Sequence, residues 1–291
     1  MNKDKFIAFV VNPISGPQKK ENMVDVISKN MSGKTPFDIL VWKDKNNFEE
    51  IRKQITSGKY THVVAVGGDG TVNEVAKNIA NTNIILGIIP RGSGNGLARS
   101  LDIPQNSIQA IKRIETGSVK TIDHGFINGK FFSCAAGIGF DAHICQLFAE
   151  SKTRGLMSYV KISLMQFFSY RAKEYVIEIN NETIKVKAFL IAFANAGQYG
   201  NNFYVAPEAK MDDGLLHVVI LKPFNVFSAL NLFVKVLVKK THQSKNIVTL
   251  TAQHIKIKNL GTEFIHFDGE PGVIENEIEV NINPQSLKVI C

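Results

Sequence analysis

The 291-residue sequence is short of the features that mark a secreted or membrane-spanning chain. It has three cysteines, Cys134, Cys145 and Cys291. They form no spaced pair, which argues against a disulfide framework or a thiolate zinc site and points to a reducing compartment, the cytoplasm. No uninterrupted apolar run reaches the roughly 18 residues that a membrane span needs. The longest candidate, Phe224 to Val238, is broken by Asn225, Ser228, Asn231 and Lys235. Near the N-terminus, Phe6 to Val11 meets Asn12-Pro13 before it is long enough for a signal sequence. With no transmembrane segment, any membrane contact is expected to be peripheral. Internal repeats and low-complexity tracts are absent. The positive charge is dispersed and lacks interleaved aromatics, which argues against nucleic-acid binding.

What is present is ordinary for a globular protein: 44% hydrophobic and 21% charged residues, with a formal net charge of +8. That balance suits nucleotide phosphates or an anionic membrane surface, and equally a plain lysine-rich exterior. The length suggests two domains or one large one. Up to about residue 120, strand-like runs alternate with helical patterns: Phe6–Val11, a helix over about 18–31, Phe37–Trp42, a helix over 48–56, His62–Val66, a helix to about Ala80, Ile84–Ile89, and a helix ending before Pro104. Such alternation predicts parallel strands joined by crossover helices, with ligands at the carboxyl ends of the strands. From about Lys120 the segments 119–126, 130–137, 175–180, 183–195, 215–221, 247–258, 262–268 and 275–282 read as strands, interrupted by helical patterns over 141–170 and 224–239. The expected architecture is an α/β domain over 1–120 and an antiparallel, all-β sandwich or barrel over 121–291. The closing run 286–291 is free to return to the first domain.

Four segments place small or acidic residues in turns. Asn12-Pro13-Ile14-Ser15-Gly16-Pro17 follows the first strand, where a glycine and a hydroxyl let amides approach a phosphate, or simply shape the turn. Gly67-Gly68-Asp69-Gly70-Thr71-Val72-Asn73 joins the third strand to a helix whose N-terminus favours anions. A carboxylate inside a phosphate loop repels its ligand, so Asp69 is expected to need a bridging cation or a substrate hydroxyl. The loop lacks the lysine of a Walker motif, and Gly33-Lys34-Thr35 is a decoy, since it precedes a strand. Pro90 to Arg99 is a second glycine-rich turn, with Ser93 and Asn95 as neutral hydrogen-bonding groups. Asp212-Asp213-Gly214 and Phe267-Asp268-Gly269-Glu270-Pro271 bring acids into turns that otherwise read as hairpins.

In this order the five boxes resemble the diacylglycerol kinase catalytic family of lipid kinases, which includes bacterial diacylglycerol and phosphatidylglycerol kinases, sphingosine kinases and ceramide kinases. The boxes are Asn12 to Gly16, Gly67 to Glu74, Gly92 to Arg99, Pro207 to Leu216 and Asp268 to Glu270. The resemblance implies a Rossmann-like α/β domain, as in NAD kinases, and a β-sandwich. It implies ATP held by Asn12, Pro13, Ile14, Ser15, Gly16, Gly67, Gly68, Asp69, Gly70, Thr71, Val72, Asn73 and Ser93. It further implies Mg2+ held by Asp213 and by the carbonyls of Lys210 and Leu215. Glu270 matches the proton acceptor for a lipid hydroxyl, a role given to Asp69 in sphingosine kinases, and Asp123 matches an acid near the lipid headgroup. The chain departs from the bacterial pattern at Pro17, where a basic residue is usual and Lys19 and Lys20 stand nearby. It departs again at Gly96, where an aspartate is usual, and at Trp42-Lys43, where a threonine is missing.

The expected activity is therefore ATP-dependent phosphorylation of a lipid hydroxyl by a protein peripheral to the inner face of the membrane, as a monomer or a dimer. The Met- and aromatic-rich stretch 156–170 reads either as a lid over an acyl chain, with Lys161 near the phosphates, or as a core helix. Rival readings are an NAD kinase-like enzyme acting on a soluble hydroxyl and a catalytically silent nucleotide-binding regulator.

Overall fold

Strands β1 (Ile7–Val11) and β3 (His62–Gly67) are buried at every residue, as β-branched runs are when helices cover both faces of a parallel sheet. They belong to a computed structural model of the chain that describes residues 5–14, 22–151 and 156–291. Ser15, Gly16, Pro17, Lys19 and Lys20 lie outside the described residues. Two compact units are present, Met1–Ile122 with Gln285–Cys291, and Asp123–Pro284.

The first unit alternates β1, α1 (Met23–Asn30), β2 (Phe37–Val41), α2 (Lys45–Ile55), β3, α3 (Asp69–Ile79), β4 (Ile85–Pro90), α4 (Gly96–Ser100) and α5 (Ser107–Thr116). Its strands pair in parallel, with Ile7 opposite both Phe37 and His62, and His62 opposite Ile85. On the outer edge of β4 runs the chain's last strand, with Lys288 opposite Ile85 and Val289 opposite Leu86. Phe9, Ile27, Val64, Ile89 and Ile111 form the core. The alternation pattern overlooks α5, which starts where the Asn106 side chain accepts from the Ile108 and Gln109 amides and buries Ala110, Ile111 and Ile114.

The second unit takes in the end of β5 (Val119–Ile127), then β6 (Lys130–Phe132), β7 (Ala135–Gly139), α6 (Phe140–Glu150), α7 (Leu156–Phe167), β8 (Lys173–Ile179), β9 (Glu182–Ala188), β10 (Leu190–Ala194), β11 (Leu216–Leu221), α8 (Val226–Leu237), β12 (Ile247–Ala252), β13 (His254–Phe267) and β14 (Glu270–Ile290) as far as Pro284. Pairing is antiparallel in the order β12, β11, β10, β7, β13, β14. Strand β13 keeps β14 on one edge and hands its other edge from β8 at Ile255–Lys258 to β7 at Ile265–Phe267. Two register shifts between Ile257 and Thr262 mark the change of partner, as bulges do where a strand bends. Phe132, Tyr175, Phe193, Ile255 and Ile265 fill this core.

Several expected segments divide or merge. The stretch 183–195 is two strands that meet at Phe189, whose amide bonds to Leu221 O at 2.7 Å. Residues 130–137 contain a break at Ser133-Cys134, whose amides are used elsewhere. The single helix expected over 141–170 is α6 and α7, because Ser151 turns extended (φ −70°, ψ 141°) and ends α6. Conversely, the segments 275–282 and 286–290 join into one strand of 21 residues.

Candidate functional site

Asn12-Pro13-Ile14 follow β1, and glycine-rich loops follow β3 and β4. Asn12 Oδ1 accepts from Ile14 N at 3.1 Å, and Asn12 Nδ2 donates to Thr71 Oγ1 at 3.1 Å, which ties the first loop to the second. Pro13 and Ile14 are exposed. Gly67 must be glycine: a Cβ there would overlap the Thr71 side chain. Gly68 and Gly92 pass backbone to backbone, and a Cβ on Gly92 would lie 2.8 Å from Gly68 Cα. Gly68 caps α3 without a side-chain hydrogen bond, so the first-turn amides of that helix are left to other acceptors. Gly70 and Ser93 are exposed, whereas Thr71, Val72 and Asn73 are buried.

Asp69 finds backbone partners within its own unit. Its Oδ2 accepts from Asn95 N at 2.9 Å and its Oδ1 from Gly96 N at 2.6 Å, so backbone amides satisfy both oxygens and the carboxylate clamps the second glycine loop to the third. Asn95 sits in the left-handed region at φ 51°. Its side chain closes the third loop on Gly92, accepting from Gly92 N and donating to Gly92 O, each at 2.9 Å, and it reaches Gln105 Oε1 at 2.9 Å. Arg99 Nε donates to Gly94 O. Gly96, where the bacterial pattern has an acid, offers the Asp69 clamp an amide with no second negative charge beside it.

In the second unit the acidic turns are linked by hydrogen bonds that spacing in the sequence did not reveal. Asp268 and Gly269, at φ 48° and 84°, make the two-residue turn of the β13–β14 hairpin, with Phe267 opposite Glu270, the geometry that Asp-Gly favours. The Asp268 carboxylate reaches across to the β6–β7 break. Its Oδ2 accepts from Ser133 N at 2.6 Å and Ser133 Oγ at 2.9 Å, and its Oδ1 from Cys134 N at 2.9 Å and Ala135 N at 3.0 Å. Asn195, fully buried, donates through Nδ2 to Ser133 O and to Asp123 O, both at 2.8 Å. Asp123, also fully buried, accepts from Gly214 N at 2.7 Å through Oδ2, and its amide donates to Met211 O at 2.6 Å. One continuous path therefore runs from the Glu270 hairpin to the Asp212-Asp213-Gly214 turn. Asp123 thus grips that turn from inside the core and does not face solvent as a headgroup acid would. Glu270, Asp213 and Lys210 are exposed, and Asp213 Oδ1 accepts from Leu215 N at 3.1 Å.

A second buried polar group lies on the same strand. His266 Nε2 and Asp141 Oδ2 are 3.0 Å apart, and Tyr199 donates to the same oxygen at 3.4 Å. Gly137 leaves the room, since a Cβ there would come within 2.7 Å of both. Burial pushes the Tyr159 and Tyr199 hydroxyls up, and the Cys145 thiol up to about 12, so this cysteine is not a nucleophile. Burial holds His124, beside Asp123, at about 4, neutral at physiological pH.

Against known proteins, residues 7–127 match the diacylglycerol kinase catalytic domain, and residues 134–291 match the YegS C-terminal NAD kinase beta sandwich-like domain. The chain belongs to the diacylglycerol kinase-like lipid kinases. A Klebsiella pneumoniae protein named probable lipid kinase YegS-like is 32% identical over 72% of this chain and 71% of its own length. A Bacillus subtilis diacylglycerol kinase is 25% identical over 90% and 89%. A diacylglycerol kinase structure from Bacillus anthracis superposes with a TM-score of 0.75 at 21% identity, covering all of this chain and 97% of that one. An Archaeoglobus fulgidus NAD kinase solved with ATP superposes at 0.55 and 12% identity, over 98% and 93%. At those identities the two structures establish the shared fold, an α/β domain followed by a β-sandwich.

Family membership makes this lipid kinase relative a phosphotransferase of the nucleotide-binding kind. No described helix is long and apolar enough to cross a membrane, and no cluster of three or more His, Cys, Asp or Glu occurs among the described residues. A magnesium ion does not need such a cluster, because it typically takes one or two carboxylates and fills its shell with phosphate and water oxygens. Asp213 offers one such carboxylate, exposed on a turn that Asp123 holds from behind through Gly214 N.

Proposed function

We propose that this chain transfers the γ-phosphoryl group of ATP to the hydroxyl of a membrane lipid, a diacylglycerol, phosphatidylglycerol or sphingoid base, while peripheral to the inner face of the membrane. The carrying observation is the hydrogen-bonded path that fixes the turn of Glu270 and the turn of Asp213 as one unit while leaving both carboxylates exposed. In this reading the segment Gly67 to Asn73, through the first-turn amides of α3 and its side chains, with Asn12, Pro13, Ile14 and Ser93, receives the nucleotide. Asn12 and Asp69 hold these loops in register. Asp213 with the Lys210 and Leu215 carbonyls would hold magnesium, which when bound neutralises phosphate charge. Glu270 takes the proton of the lipid hydroxyl as it attacks. Because the transition state of phosphoryl transfer is loose, the protein's contribution is alignment and charge placement. Asp123 acts through the Asp213 turn and does not touch the lipid.

The test is transfer of radiolabelled γ-phosphate from ATP into a dispersed total lipid extract, with NAD in parallel, resolved by thin-layer chromatography. Label in a lipid spot is the expected result. Label in NAD alone would make the protein an NAD kinase-like enzyme. Label in neither, with ATP binding retained, would make it a silent nucleotide-binding module.

A further inference from the structure

Helix α8 turns an apolar stripe outward. Leu230, Phe233, Val234, Leu237 and Val238 are 72%, 52%, 48%, 44% and 52% exposed. Their spacing is i, i+3, i+4, i+7 and i+8, so they line one face, and Val236 is the side chain buried beneath. A stripe of this kind normally faces a core. Here it faces solvent, and scattered surface hydrophobics do not account for a contiguous one. Helix α7 does the same with Met157, Val160, Leu164 and Phe168, between 40% and 79% exposed. The inner sides of the two elements meet in one aromatic cluster: Phe167 of α7 lies 5.6 Å from Phe224, just before α8, and both rings pack on Phe189.

Charge identifies the partner. Between Glu150 and Glu174, and again between Asp213 and Glu263, the sequence contains no acidic residue, yet those two stretches hold twelve of the 34 lysines and arginines. Around α8 the cations are arranged beside the stripe. Lys235 Nζ donates to Gln243 O at 2.8 Å, Lys239 lies 4.3 Å over the Tyr204 ring, and Lys222, Lys240 and Lys245 are exposed. Glu208, 3.9 Å from His242, is the acid near this face; an apolar face flanked mainly by cations matches a bilayer with anionic headgroups, where apolar side chains enter the acyl boundary and lysines stay among the phosphates.

We propose that α8, with the outer face of α7, lies flat on an anionic bilayer and holds the second unit to it. The proposal rests on the lipid-kinase reading above, but its test separates the two. Purified full-length protein is sedimented with phosphatidylglycerol-containing and with pure phosphatidylcholine vesicles, as wild type, as Leu230→Gln/Phe233→Gln and as Lys239→Ala/Lys240→Ala. Thermal midpoints check folding, and sedimentation equilibrium checks association. Turnover is measured in parallel on short-chain lipid in detergent, where docking is not needed. Wild type is expected to partition onto the anionic vesicles. The apolar double variant should lose at least about tenfold in partition, and the lysine variant should lose several-fold and become less salt-sensitive. All three should turn over detergent-dispersed lipid equally. Equal vesicle partition of wild type and the apolar variant would overturn the proposal. So would absence of vesicle binding by wild type, including the case in which wild type is a dimer that the apolar variant splits, since a second copy would then cover the stripe. If no variant phosphorylates any lipid while vesicle binding behaves as stated, the kinase reading fails and the docking face stands.

Discussion

Replacing Asp268 by asparagine should destabilise the protein by about 2–4 kcal/mol and slow it as well. The carboxylate accepts four hydrogen bonds at 2.6–3.0 Å, three of them from consecutive backbone amides of Ser133, Cys134 and Ala135. Asparagine keeps one acceptor oxygen and tolerates the φ of 48° that a turn at this point demands. Backbone conformation is thus held constant while the hydrogen bonding changes. If the remaining oxygen stays on Cys134 and Ala135, the new amide group faces Ser133 N, donor against donor. Bonds to a charged acceptor contribute about 1.5–3 kcal/mol each, and an unpaired buried amide costs about 1–3 kcal/mol, from which the range follows. Because the same turn carries Glu270, a loosened hairpin misplaces the proton acceptor, and small misplacements lower rates by up to about a hundredfold. Urea unfolding followed by circular dichroism, with turnover on the same preparation, measures both effects. A wild-type midpoint together with wild-type turnover would refute the inference that Asp268 organises the site.

Three further outcomes follow from the geometry. Asp69→Asn should lose about 1–3 kcal/mol of stability through the Asn95 and Gly96 amides and weaken ATP binding by loosening the third loop; calorimetric titration with ATP and a melting curve check both. Gly67→Ala should fail to accumulate folded protein, because its Cβ would overlap the Thr71 side chain, and solubility on expression measures this. His124 is held near 4 by burial against an ordinary 6.5, so the unfolded chain takes up a proton first as pH falls. Its contribution to stability is complete above about pH 6.5 and is lost progressively toward pH 4, by about 3 kcal/mol; denaturant midpoints across that interval should fall with decreasing pH, and a flat profile would contradict the burial of a neutral ring.

Much of the first unit can be read directly from the chain, because β1, β3 and β4 are continuous apolar runs that each end in glycine or an Asn-Pro or Pro-Arg turn. What patterning misses is set by partners remote in sequence. Asp69 looks like a charge in search of a cation until Asn95 and Gly96, 26 and 27 residues on, are seen to supply amides. Asp268-Gly269 announces a hairpin, but nothing near it announces that its carboxylate closes on residues 133–135 positions earlier. Asn195 has no local signal at all: it is a buried asparagine whose two donor bonds join Ser133 to Asp123. Helix α5 was legible in principle, through Asn106 and the apolar spacing of Ala110, Ile111 and Ile114, yet it was masked by the turn residues before it. The division of α6 from α7 and the fusion of the closing strands depend on backbone conformation at single residues, which periodicity averages away.

The most direct test of the account is the turnover of Glu270→Gln with ATP and dispersed lipid. The substitution keeps the side chain's shape and removes its negative charge and its ability to accept a proton. The expected result is a fall in kcat of at least about a hundredfold with ATP affinity and thermal midpoint unchanged. A variant that phosphorylates lipid at the wild-type rate would contradict the assignment of the proton acceptor and, with it, the mechanism built on the β13–β14 hairpin.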